Sequence, residues 1–122
     1  MVDFKVLEQN LPRIDARDKV TGRAVYASDV YLPGMLMCKL LPSTHAHARI
    51  ISIDTSKAEV LQGVRSVITG QDFPDIRFGS GALKDRYIMA RDEVFYIGEP
   101  VAAVAAEDEI TAQEAMDLIE VV

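Results

Sequence analysis

The sequence has a single cysteine, Cys38, among its 122 residues. One thiol cannot form an internal disulfide, a Cys-x-x-Cys redox motif or the four-thiolate set of an iron–sulfur cluster. Any iron–sulfur cluster that works with this chain is therefore expected to be bound by another chain.

Basic residues are also in the minority, with 13 Lys and Arg against 19 Asp and Glu and a formal net charge of -6. A nucleic-acid-binding surface needs the opposite balance, because it must neutralise phosphates. Nucleic acid is therefore an unexpected partner. With 49% hydrophobic residues and 122 residues in all, the chain can bury one core and form one domain.

Long hydrophobic runs are absent. The longest apolar stretches, residues 35–41 and 101–106, are far shorter than the roughly 20 residues that cross a bilayer. The start at Met1 shows no basic region followed by an apolar region, as a secretory signal would. The sequence thus predicts no membrane segment and a cytoplasmic location.

Short strands account for most of the predicted structure, because β-branched, aromatic and alternating apolar residues recur between turn residues. The predicted strands cover residues 23–26, 35–41, 49–54, 64–69, 93–97, 101–106 and 119–122. Residues 1–10 have no clear period and are predicted to be an extended arm, which leaves residues 11–122 as the domain. Residues 70–85 are predicted to be a loop.

Two short helices complete the prediction. Ser56 and Glu59 have the spacing of a capping box, and Gly63 is placed to end that helix. A second capping box, Thr111 and Glu114, opens a helix whose inward residues are predicted to be Ala115, Leu118 and Met116. Residues 49–69 would form a β-α-β piece, and the whole is a mixed α+β domain with two short helices.

Three motifs carry a family resemblance when they are taken together. They are residues 15–29, DARDKVTGRAVYASD, residues 45–50, HAHARI, and residues 90–108, ARDEVFYIGEPVAAVAAED. The chain closely resembles the N-terminal domain of the large subunit of molybdenum hydroxylases, the xanthine dehydrogenase and aldehyde oxidase family. Residues 45–50 and 90–92 look most like the 4-hydroxybenzoyl-CoA reductase and carbon monoxide dehydrogenase-like branches.

This resemblance implies an α/β hammerhead fold, a small mixed sheet with a protruding β motif, spanning residues 11–122. It also implies an oxidoreductase acting on aldehydes, purines or aromatic CoA-type substrates. The complete enzyme would use a molybdenum-pterin cofactor, iron–sulfur clusters and FAD. The pterin-binding loops and the catalytic glutamate lie beyond residue 122 in the family, so the resemblance predicts a non-catalytic domain that contacts downstream molybdopterin-binding domains and the iron–sulfur and FAD subunits.

His45 and His47 are the first candidate site residues. Their i, i+2 spacing would place both side chains on one face of an extended strand, where they could bind a metal ion. No third ligand with suitable spacing is evident, so a structural role at the edge of a loop is the favoured interpretation.

Other candidates also have a structural alternative. A catalytic carboxylate needs an apolar setting, and a solvated role is favoured for all five acidic candidates. These are Asp72, Asp75, Asp85, Asp92 and Glu93. Residues 79–81, Gly-Ser-Gly, could cradle a phosphate or pterin near Lys84, but a flexible loop is favoured. Cys38 lies in an apolar strand, which favours a buried, inert thiol over a nucleophile.

No catalytic, cofactor-binding or metal-binding residue is therefore assigned within this chain. A second interpretation is a free-standing binding or assembly domain with no catalytic activity. The last predicted strand, residues 119–122, has no turn or charged tail after it, which is expected to favour self-association through unpaired strand edges.

Overall fold

The computed structural model describes residues 11–80 and 82–122. The predicted arm, residues 1–10, and Gly81 lie outside the described residues. Two compact units divide at Pro33 and Gly34. We call the described part of the first unit, residues 11–33, the leading segment, and the second unit, residues 34–122, the main unit.

The leading segment contains one short helix, α1 (Ala16–Val20), and a single 3-10 turn, Ala27–Asp29. The helix ends at a turn in which Gly22 has φ of +69°, a left-handed conformation that suits glycine. The predicted strand at residues 23–26 is wrong: its backbone is extended in part but belongs to no strand. The backbone N–H groups of Arg23 and Ala24 instead both donate to the Asp18 carbonyl.

The described residues of the main unit, 34–80 and 82–122, form seven short strands, two α-helices and a 3-10 turn. They are β1 (Met37–Pro42), β2 (Ala48–Arg49), β3 (Ile53–Asp54), α2 (Ser56–Glu59), β4 (Val64–Thr69), the 3-10 turn Gly70–Asp72, β5 (Glu93–Val94), β6 (Pro100–Ala106), α3 (Glu109–Asp117) and β7 (Glu120–Val121). The strand pairs are antiparallel and form a three-stranded sheet, β1-β6-β4, and two strand pairs, β2-β5 and β3-β7. The predicted α+β class with two short helices describes this unit correctly.

Strand β6 lies at the centre of the three-stranded sheet and is almost wholly buried. Alternate residues along a strand point to opposite faces, so Ala102, Val104 and Ala106 share one face. On that face the core also includes Ala58 of α2, Ala115 of α3 and Ile119. The small alanines let both helices approach the sheet closely, and this packing forms the main core.

The predicted strand at residues 49–54 is broken in two. Its first part, β2, pairs with β5, whereas its second part, β3, pairs with β7. Between them Ile50 N donates to the Asp92 carbonyl and Ile51 N to that of Val122, both within 2.8 Å. The chain changes partner at this point, and Ile51 is 70% exposed.

Both helix caps differ from the predicted capping boxes. Thr55, not Ser56, is the N-cap of α2, and its hydroxyl donates to the Glu59 carboxylate at 2.5 Å. Helix α3 begins earlier than predicted, because the Asp108 carboxylate accepts from Thr111 N at 2.8 Å. Ala115 is buried as predicted, but Leu118 is exposed.

The predicted ends of helices and strands agree best with the structure around Gly63 and residues 64–69. Gly63 has φ of +93° and joins α2 to β4, which occupies the predicted residues. Residues 73–80 and 82–90 are mainly loop, with an isolated bridge between Phe78 and Arg86. Within residues 11–80 and 82–122, no helix is long and apolar enough to cross a membrane.

Candidate functional site

The main unit contains a cavity of about 360 Å³ beside the His-Ala-His motif. Its walls come from the end of β1, the following loop, the β2-β5 pair and the region around β7. The lining residues are Leu41, Pro42, Ser43, Thr44, His45, Ala48, Arg49, Ile50, Val94, Val101, Ile119, Val121 and Val122. Most are apolar, so the cavity offers a hydrophobic surface with few polar groups.

Ser43 holds the loop at one end of this cavity. It is the only polar residue buried among the described residues, at 8% exposure. Its hydroxyl accepts from His45 N at 3.1 Å and donates to the His45 carbonyl at 3.0 Å. Its backbone is tied to the turn before β6, because Ser43 N donates to the Glu99 carbonyl and Gly98 N donates to the Ser43 carbonyl, both at 2.8 Å. The His-Ala-His motif is therefore attached to the Gly98-Glu99-Pro100 turn.

The two histidines have separate partners. The His45 ring lies next to the Thr44 hydroxyl, with Nδ1 3.1 Å from Oγ1. His47 stacks on Phe95 with 5.3 Å between ring centroids, and its Nε2 lies 3.5 Å from a Glu93 oxygen. Among the residues that the structure describes, no three His, Cys, Asp or Glu side chains form a metal-ligand group. The two histidines therefore contact different neighbours, Thr44 in one case and Phe95 and Glu93 in the other.

Three of the five carboxylate candidates make local bonds. Asp72 accepts from Thr69 N at 2.7 Å and so stabilises the 3-10 turn after β4. Asp75 accepts from the Tyr87 hydroxyl at 2.8 Å. The Asp92 carboxylate lies 3.4 Å from the Gln71 amide nitrogen. The side chains of all five candidates, including Glu93 and Asp85, are exposed. None of them therefore has the apolar surroundings that a general acid or base uses.

The Gly79-containing loop is tight. A Cβ on Gly79 would lie 1.8 Å from the Leu83 carbonyl oxygen, so the glycine is required by the close approach of two backbone segments. Lys84 is exposed nearby. Cys38 corrects a prediction: it is exposed, because β1 alternates and Cys38 lies on the face opposite the helices. The apolar composition of the strand did not indicate that only one of its faces is covered.

Two residues outside the cavity lining, Glu99 and Gly70, were not recognised as important from the sequence. Glu99 accepts from Phe95 N at 2.6 Å through its carboxylate, and this bond ends β5 after Val94 instead of at residue 97. Gly70 lies so close to residue 90 that a Cβ would meet the Ala90 oxygen at 2.2 Å. The Gly98-Glu99-Pro100 turn was the available signal for Glu99, whereas no local signal existed for Gly70.

The charged groups with altered pKa lie away from the cavity. Hydrogen bonds from Thr111 lower the pKa of Asp108, and Lys39 lowers the pKa of Glu109, with Lys39 Nζ 2.7 Å from its carboxylate. The ion pair with Glu120 raises the pKa of Lys57. All of these groups are exposed and stabilise caps or connect elements, so the electrostatics indicate a structural unit.

A comparison with known families decides the relationship. Residues 21–122 match the family described as "Aldehyde oxidase and xanthine dehydrogenase, a/b hammerhead domain". The chain belongs to this family. The predicted hammerhead fold and the resemblance to molybdenum hydroxylases are thereby confirmed.

Individual relatives agree with this assignment. The chain is 39% identical to the nicotinate dehydrogenase large molybdopterin subunit of Eubacterium barkeri over 96% of its length, which is 28% of that protein. It is 41% identical to the carbon monoxide dehydrogenase large chain of Afipia carboxidovorans over 82% of its length, which is 13% of that protein. The reconstituted CO dehydrogenase from Oligotropha carboxidovorans has the same fold, with a TM-score of 0.83, 37% identity and coverage of 92% of this chain and 14% of that one. The hammerhead domain thus spans a small part of each relative.

Proposed function

We propose that residues 11–122 are the N-terminal, non-catalytic hammerhead domain of a molybdenum-containing hydroxylase or dehydrogenase large subunit. The complete enzyme would be a cytoplasmic oxidoreductase acting on aldehydes, purines or aromatic CoA-type substrates. The domain would shape the subunit and contact the downstream molybdopterin-binding domains and the iron–sulfur and FAD subunits. The single observation that supports this most is the match of residues 21–122 to the hammerhead family.

The residues around the cavity do not fit a molybdenum-pterin group. Such a cofactor needs several hydrogen-bond donors for its pterin and phosphate, whereas the cavity is lined mainly by Leu41, Val94, Val101 and similar side chains. Ser43, which is polar and buried at the cavity, already bonds to its own loop. When bound elsewhere in the complete enzyme, the cofactor would supply the oxidation chemistry, and no step of it is assigned to this domain.

Hydrogen bonds and ring stacking in this domain connect the His-Ala-His loop to the segment at residues 95–100. Ser43 joins the His-Ala-His loop to the turn at residues 98–100, and His47 stacks on Phe95 across the same region. A fixed loop pair next to an apolar cavity suits packing against other protein surfaces. It does not suit proton transfer, because no buried acid or base faces the cavity.

The test uses the complete large subunit assembled with its partner subunits. Dye-coupled oxidation of xanthine, an aldehyde and an aromatic CoA thioester would be measured alongside molybdenum content. Three single variants would be compared with the wild type: His47→Ala, Asp92→Asn and Glu93→Gln. Each should keep kcat within about threefold of the wild-type value, because none of these side chains touches reacting atoms in this proposal.

A matched control is Ser43→Ala, which removes the two hydroxyl bonds to His45 and keeps the backbone bonds to the turn at residues 98–100. It is expected to lower stability and not kcat per bound molybdenum. The proposal would be contradicted if kcat fell more than about a hundredfold in the His47, Asp92 or Glu93 variant while the molybdenum content stayed unchanged. Such a result would assign a catalytic residue to the domain. A complete protein with no molybdenum and no oxidation activity would instead support the free-standing binding or assembly domain.

A further inference from the structure

We draw no further inference here: the strongest candidate, the apolar cavity between the His-Ala-His loop, the β2-β5 pair and the region around β7, carries none because nothing in the structure shows what covers it.

Discussion

Gly70 lies where two backbone segments approach too closely for a side chain. An added Cβ would lie 2.2 Å from the Ala90 oxygen, so Gly70→Ala must push apart two backbone segments. We expect a loss of about 1–3 kcal/mol in the free energy of unfolding, measured by urea denaturation. Ser66→Ala, at an exposed position in the neighbouring strand β4, is the control and should change stability by less than about 0.5 kcal/mol. Equal effects would mean that the two segments are not in contact.

Val104 is the largest fully buried side chain of the core, at 1% exposure. Val104→Ala removes two methyl groups between the helices and the sheet, so we expect a loss of about 2 kcal/mol in the free energy of unfolding. The same substitution at Val60, which is 83% exposed, should cost less than about 0.5 kcal/mol. A small effect at Val104 would indicate that the core lies elsewhere.

At the scale of elements, the caps explain how such short helices persist. Isolated helices of this length are not stable in water, so α3 needs the Asp108 cap and its packing on β6. Strand β5 shows the opposite effect, because the Glu99 carboxylate takes the Phe95 N–H and stops the ladder. Side chains that bind backbone groups therefore set element ends here.

The cap of α3 leads to a pH-dependent prediction. Hydrogen bonds from Thr111 lower the pKa of Asp108 in the folded state. The ionised carboxylate therefore stabilises the folded chain at pH values above the ordinary pKa of an aspartate, about 3.9. This stabilisation is lost as the pH falls through the lower folded-state pKa. The stability difference between the wild type and Asp108→Ala should be constant near neutral pH and should shrink below about pH 4. Urea denaturation at a series of pH values measures it.

Glu114→Ala is the control for this helix, because Glu114 is exposed in the middle of α3. It should cost less stability at neutral pH than Asp108→Ala. A difference for Asp108→Ala that stays unchanged down to pH 2 would show that the ionised carboxylate does not stabilise the helix.

On the scale of the whole molecule, many large apolar side chains are exposed among the described residues. They occur in the leading segment, as at Val20, and in the main unit, as at Ile97, which is 70% exposed. We expect the isolated 122-residue chain to associate as its concentration rises, because these groups are not covered. Light scattering over a wide concentration range measures this. Val20→Lys with Tyr31→Lys should weaken the association, and a strictly monomeric wild-type chain would contradict the prediction.

Cofactor content is the second prediction for the whole molecule. The purified 122-residue chain should contain no stoichiometric molybdenum, iron or flavin, because it has one cysteine, two histidines and no complete cofactor loop. Elemental analysis and absorption spectra would measure this. A stoichiometric transition metal that disappears in a His45→Ala and His47→Ala double variant would establish the histidine pair as a ligand site.

Local sequence patterns predicted the parts whose structure depends on near neighbours. Strand β4, strand β6 and the turn at Gly63 agree with their apolar composition and turn residues. The three family motifs also identified the hammerhead family, since they are readable without knowledge of contacts. In the candidate site, the sequence favours a structural role for His45 and His47 because no third ligand lies nearby in the sequence, and this stays a prediction.

Only the tertiary structure decided which faces and edges are covered. Residues 49–54 look like one strand, but they divide because β5 and β7 compete for different parts of them. Cys38 lies in an apolar strand yet is exposed, since the helices cover only the other face of the sheet. Gly70 is required by a segment twenty residues away. A hydrophobic period or a helix cap depends on residues that are near one another in the sequence. Burial and strand pairing depend on groups that are distant in the chain.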